Sequence, residues 1–168
     1  MTERTEIKER LAQEGIEFLL VQFVDMTGAP KVKMVPVTAL DDALDEGAGF
    51  AGASIWGLGQ GPHSHDMLAR IDLDSYARLS WQPNTVRFAS DLFVDGESYP
   101  YCSRTNLQRV LADAVQQGYV FNVGMEPEHF LLVRDDDGSI RPWDPDGVDS
   151  LAKPCYDFRS MSPAMAYL

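Results

Sequence analysis

Two apolar runs of strand length, residues 17–24 and 31–37, stand on either side of a single polar turn from Asp25 to Pro30. The first run is nearly continuous in apolar residues and reads as a buried strand. The second alternates and reads as its antiparallel return. A two-stranded hairpin is marginal alone in water, so the rest of the chain must supply further strands and a covering layer. Residues 3–14 provide part of that cover. Ile7 and Leu11 lie one turn apart among charges, and Gly15 sits where a helix C-terminal glycine belongs. Thr38, with Asp41 three residues on, suggests the cap of a second short helix, with Ala39, Leu40, Ala43 and Leu44 on its apolar side and an end near Gly47.

Residues 47–66 change character. Gly47, Gly49, Gly52, Gly57, Gly59 and Gly61 crowd together, which predicts a loop where backbone freedom matters. A further strand is expected over residues 86–93 after the turn Gln82-Pro83-Asn84, and the stretch from Asp95 to Pro100 reads as a boundary. Beyond it Leu107, Val110, Leu111, Ala114 and Val115 follow helical spacing, closed by Gly118. Residues 119–133 read as strand, Asp135 to Gly138 as a turn, and the last thirty residues as loop, with a new segment beginning near Met161. The fold class is therefore α+β: a unit over residues 1–97, then a helix–strand pair over 98–168 that looks like the start of a larger, incomplete domain.

Charge narrows the function. The chain carries 14 basic and 26 acidic residues, a net charge of −12. That balance repels phosphate backbones and anionic lipid, so neither nucleic acid nor a membrane surface is expected as a partner. It remains compatible with hard cations. No stretch approaches the ~18–20 consecutive apolar residues of a membrane span, and the N-terminus lacks the apolar core of a signal peptide. With only Cys102 and Cys155, far apart, the expectation is a cytoplasmic chain with reduced thiols.

The stretch from Gly124 to Leu132 is the most informative chemically. In an extended segment, side chains at i and i+2 share a face about 6.5–7 Å apart, so Glu126 and Glu128 would point the same way. Two carboxylates on a buried face repel each other and lose hydration, and a pair of divalent ions would compensate both. The same spacing also fits a solvated edge strand. Pro127, which has no N–H for a ladder, suits an edge. Elsewhere, the His63, His65 and Asp66 group reads as a polar loop and not as a metal cluster. His129 reads as a partnered or partly exposed histidine pointing away from the glutamate face. Trp56, Trp81 and Trp143 read as packing anchors.

Gly124-Met125-Glu126-Pro127-Glu128-His129-Phe130-Leu131-Leu132 resembles the Gly-x-Glu-Pro-Glu-Phe-Phe-Leu-Phe strand of the glutamine synthetase family. Four more segments resemble that family in the same order. Residues 49–55 are similar to its Phe-Asp-Gly-Ser-Ser-Ile loop and His65 to Leu68 to its Ser-Asp-Met segment. Trp81 to Arg87 resemble the turn into its next strand, and Tyr99 to Arg104 its Pro-Tyr…Asp-Pro-Arg stretch before a helix. The resemblance implies a β-grasp domain over 1–97, followed by the beginning of a catalytic domain over 98–168. It further implies an ATP-dependent ligase that phosphorylates the γ-carboxylate of glutamate and lets ammonia attack the acyl phosphate. Mg²⁺ or Mn²⁺ would be the ions, with Glu128 on the ion near glutamate and Glu126 on the ion near the transferred phosphate. Ring-shaped self-association is implied too, each active site being shared between neighbouring subunits.

Two departures qualify that expectation. The family's loop Asp, which helps to bind and deprotonate ammonium, is Ala51 here, and the Ser two residues on is Ala53. Gly52 and Ser54 match, so the amine-site loop is Ala51, Gly52 and Ser54. Loss of the carboxylate favours a relative that joins glutamate to methylamine, as a γ-glutamylmethylamide synthetase does, or to another small amine. The remaining metal ligands and the nucleotide site of the family have no counterpart in the sequence, so the chain alone is expected to be inactive. A reading of another class is a non-catalytic β-grasp module kept for assembly.

Overall fold

The first helix, α1 (Glu3–Gln13), ends as the sequence requires. Gly15 adopts φ +66°, its N–H donates to Ala12, and the Ile16 N–H reaches back to the Leu11 carbonyl. This is the paired closure that a left-handed glycine permits, and Leu11 and Ile16 are both buried beside it. The protein is described by a computed structural model over residues 3–144 and Met165. These fall into two compact units, divided between Phe121 and Asn122.

In the first unit β1 (Phe18–Val24) pairs antiparallel with β2 (Pro30–Pro36) across the expected turn. After a 3₁₀ turn come α2 (Leu40–Asp45), β3 (Ala48–Phe50), β4 (Met67–Ile71), β5 (Ala77–Arg78), β6 (Thr85–Val94) and β7 (Glu97–Ser98). The sheet runs in the order β2-β1-β6-β4-β3, with β5 and β7 also on β6. Only the β1–β6 pair is parallel. The long β6 is the organiser: its first half pairs with β1 and β5, its second half with β4 and β7. Alternation puts Leu19, Val21 and Phe23 of β1 and Val86, Phe88 and Leu92 of β6 on one face, and two clusters divide that face along its length. Leu19, Val86 and Phe88 cluster with Ile7 and Leu11 of α1 and Leu40 of α2, while Val21, Phe23 and Leu92 join Met67, Ala69, Leu58 and Tyr99. The α+β class and the β-grasp sheet expected from the sequence are present.

Several local expectations need correction. Thr38 caps no helix: it lies inside the 3₁₀ turn, and Ala39 precedes α2 without a side-chain hydrogen bond. The glycine-rich stretch contains β3 and a 3₁₀ turn, because β4 offers β3 an edge to pair with. Trp56 and Trp81 anchor nothing, being 76% and 79% exposed.

The β1–β2 turn is built around Asp25. Its Oδ1 accepts from Thr27 N (2.8 Å), Thr27 Oγ1 (2.7 Å) and Ala29 N (3.0 Å), and Lys31 Nζ lies 3.2 Å from Oδ2. Chiefly through the Thr27 hydroxyl, these donors hold the carboxyl below its ordinary 3.8, at about 2. A depressed carboxyl contributes stability above the unfolded value and loses it as pH falls from about 4 toward 2. Asp25→Ala should lower Tm by about 5–10 °C near neutral pH. The gap to the unmodified protein should close in that acid window. Thermal melts across pH 2–7 test this, and a gap independent of pH would refute the ionic part.

Helix α3 (Ser103–Gln116) belongs to the first unit and packs on β6 and β1. Gly118 at φ +83° closes it, with Tyr119 N–H bonded to Ala114 O. Arg104 ties its first turn to the sheet: Nη1 lies 2.9 Å from both oxygens of Asp91, and Nη2 pairs with Asp72. Arg104→Met should leave two facing carboxylates without a counter-charge, at a cost of ~1–3 kcal/mol for this partly buried site. The loss should appear as faster amide exchange along α3; unchanged protection would show that packing alone holds the helix. Leu107, Val110 and Val115 on this helix are exposed.

The second unit contains a hairpin, β8 (Leu132–Arg134) with β9 (Ile140–Pro142). Its turn is the expected Asp135–Gly138 one, closed by Gly138 N–H to Asp135 O at 2.9 Å. The strand expected over residues 119–133 shrinks to β8. Before it, the Leu131 carbonyl accepts from Trp143 N–H, but no ladder forms over residues 119–130, because strand composition without a partner makes none. The segment expected near Met161 and Cys155 lie outside the described residues, apart from Met165. No helix among the described residues is long and apolar enough to cross a membrane.

Candidate functional site

The two expected site pieces fall in different units. The loop expected to face the amine leaves β3 at Phe50, whose ring stacks on Phe23 with centroids 4.5 Å apart. Ala51 is extended (φ −77°, ψ 106°), and Gly52–Ser54 form one 3₁₀ turn. Within it Ser54 N–H donates to Ala51 O, and Ile55 N–H to Gly52 O, each at 3.0 Å. The turn therefore presents Ala51, Ala53 and Ser54 to solvent and turns Gly52 inward.

Glycine lets the loop lie this close to the core. A Cβ at Gly52 would collide with the Met67 thioether, falling 2.8 Å from Met67 Cγ and 2.9 Å from Gln60 Cγ. A Cβ at Gly57, which adopts φ +81°, would lie 2.8 Å from Met26 Cβ. Beyond them the buried Tyr99 hydroxyl donates to the Leu58 carbonyl. Met67, Met26 and Tyr99 were not singled out as site residues by the sequence. The available signal was indirect: Met67 stands in the Ser-Asp-Met resemblance, and the antiparallel register sets it opposite Phe50.

Further along, His65 Nδ1 lies 2.6 Å from Asp95 Oδ1, both side chains exposed, so this histidine links two loops. No group of three or more His, Cys, Asp or Glu side chains able to hold a metal occurs among the described residues. In the second unit Glu126, Glu128 and His129 are exposed in a segment without regular structure. Both glutamates offer the hard oxygen donors that Mg²⁺ or Mn²⁺ takes, but two carboxylates are only part of such a shell.

Residues 15–95 match the family model described as glutamine synthetase, beta-Grasp domain. That span covers β1 to β6 and the turn that carries Ala51, Gly52 and Ser54. Over 165 residues the chain is 37% identical to the glutamate–methylamine ligase of Methyloversatilis universalis, covering 98% of this chain and 37% of that protein. It is 33% identical over 144 residues to a glutamine synthetase of Rhizobium leguminosarum bv. phaseoli, covering 86% and 32%. The chain belongs to the glutamine synthetase family. A solved chain named "GmaS/ADP complex" superposes with a TM-score of 0.76 at 32% identity, over 95% of this chain and 36% of that one. One named "Apo GmaS without ligand" gives 0.77 over 96% and 37%. The chain thus spans about a third of the length of these relatives.

Proposed function

We propose that this chain is the N-terminal part of a ligase that joins the γ-carboxylate of glutamate to ammonia or a small amine at the expense of ATP. The observation that carries the choice of amine is the exposed turn at Ala51, where the family's carboxylate is absent, in a chain similar to a glutamate–methylamine ligase. Residues 1–97 are the β-grasp domain in this reading, and 98–168 open the catalytic domain with α3 and the Glu126–Glu128 segment. Assembly into rings would bring the turn of one subunit to the catalytic sheet of the next. A cytoplasmic location suits glutamate and ATP as substrates.

The chemistry has two steps. The terminal phosphoryl group of ATP passes to a γ-carboxylate oxygen of glutamate, leaving ADP. The neutral amine nitrogen then attacks the acyl carbon, phosphate departs with the former carboxylate oxygen, and the amine gives up one proton. Glu126 and Glu128 would hold Mg²⁺ or Mn²⁺, which supplies charge neutralisation for phosphoryl transfer when bound. The turn's task is to admit the amine and exclude water, and Ala51 and Ala53 leave room there for a carbon substituent.

The test is to express the complete reading frame and measure ATP-dependent γ-glutamyl amide formation with ammonia and with methylamine. Product with either supports a ligase. No product with any small amine, from a folded and assembled protein, would leave an assembly module as the surviving reading. The 168-residue chain by itself should be inactive.

A further inference from the structure

We infer that Met67 is the positioning residue for the amine-facing turn, because its thioether lies directly beneath Gly52 and fixes how high Ala51, Ala53 and Ser54 stand above the core. The inference rests on the proposed amine role of that turn. The end of a methionine is ordinarily free to swing aside, which would make it a poor support. Here it is not free: Met67 is fully buried on β4 among Phe23, Leu58 and Tyr99. The strand register also holds it opposite Phe50, the residue from which the turn departs.

The turn's other boundaries are fixed as well. Phe50 is stacked on Phe23 before it, and Leu58 is held by the Tyr99 hydroxyl after it. Between these points the backbone rests on Met67 at Gly52, and only hydrogen fits between them. Bulk added at residue 52, or a change of shape at residue 67, must lift the turn. Catalysis depends on reacting atoms held near attack distance, and a displacement of about 1 Å can cost on the order of a hundredfold in rate. Such a lift should act on the amine step and spare the binding of glutamate and ATP.

The experiment compares Gly52→Ala, Met67→Leu and the double variant Gly52→Ala/Met67→Ala in the complete ligase. Thermal unfolding serves as the check on folding. Gly52→Ala should lower kcat/KM for the amine by about ten- to a hundredfold, with KM for glutamate and ATP unmoved. The double variant removes the sulfur and Cγ of Met67, the two nearest atoms that the new methyl meets, and leaves Gln60 Cγ close to it; it should recover most of that loss. Met67→Leu conserves core volume and should fold, while its branched end shifts the amine KM several-fold; it carries the test should Gly52→Ala fail to fold. An unchanged amine kcat/KM in the folded single variants overturns the inference, as does an equal fall in the glutamate, ATP and amine parameters. No rescue in a folded double variant overturns it too. An unmodified ligase that makes no γ-glutamyl amide instead overturns the proposed function, and the inference falls with it.

Discussion

Glu126→Gln and Glu128→Gln should each cost the complete ligase roughly 10²–10³-fold in kcat/KM under the proposed function, a loss comparable to removing one preorganised electrostatic contact. Glutamine keeps the shape and one acceptor oxygen but not the charge that attracts a divalent cation. Stability should hardly change, since both side chains are exposed in the chain described, and removing like charge relieves repulsion. Titrating Mn²⁺ separates the two. If Glu126 serves the phosphate ion, its loss should fall on the ATP-dependent step. If Glu128 serves the ion near glutamate, its loss should also raise KM for glutamate. Unaltered kinetics in both variants at limiting metal would remove these residues from the site.

The sequence made the hairpin and its surroundings legible because each signal was local. Gly15 and Gly118 end their helices in the one backbone conformation that glycine favours, and the 25–30 turn closes on an aspartate with three nearby donors. What escaped was non-local. β3 and β4 are short; β3 is a strand only because β4 is there to pair with it, and β4 because it lies between β3 and β6. The reverse error at residues 119–131 has the same cause, since apolar alternation sets a preference but a ladder needs a second chain segment. Trp56 and Trp81 show a further limit: size and hydrophobicity favour burial on average, and neither says which large residues a given fold leaves outside.

The candidate site was legible as motif and not as support. Ala51, Gly52 and Ser54 stood out through the family loop, and the structure sets them on one turn. The reason Gly52 must be glycine lies fifteen residues away in Met67, and the restraint on Leu58 lies at Tyr99. Such contacts have no spacing rule in sequence because the sheet, not the chain, makes them neighbours.

Ala51→Asp should move amine preference toward ammonia. A charge-assisted contact is worth ~1.5–3 kcal/mol, or about ten- to a hundredfold in affinity. The unmodified site lacks a carboxylate at this position, and a methyl group on the amine can recover ~0.8 kcal/mol by filling the space. The complete enzyme should therefore use ammonia poorly, and methylamine comparably or better. The substitution is structurally permitted: Ala51 is exposed, has an ordinary extended backbone, and precedes a 3₁₀ turn whose first residues lack any side-chain cap. An aspartate there can accept from the turn's own N–H groups, which favours its ionised form and keeps it beside the turn. Competition between the two amines, measured as the ratio of kcat/KM values, decides the matter. The ratio should shift toward ammonia by at least about tenfold in the variant. A strong ammonia preference in the unmodified enzyme, unaltered by the substitution, would mean that another side chain supplies the charge and that residue 51 does not select the amine.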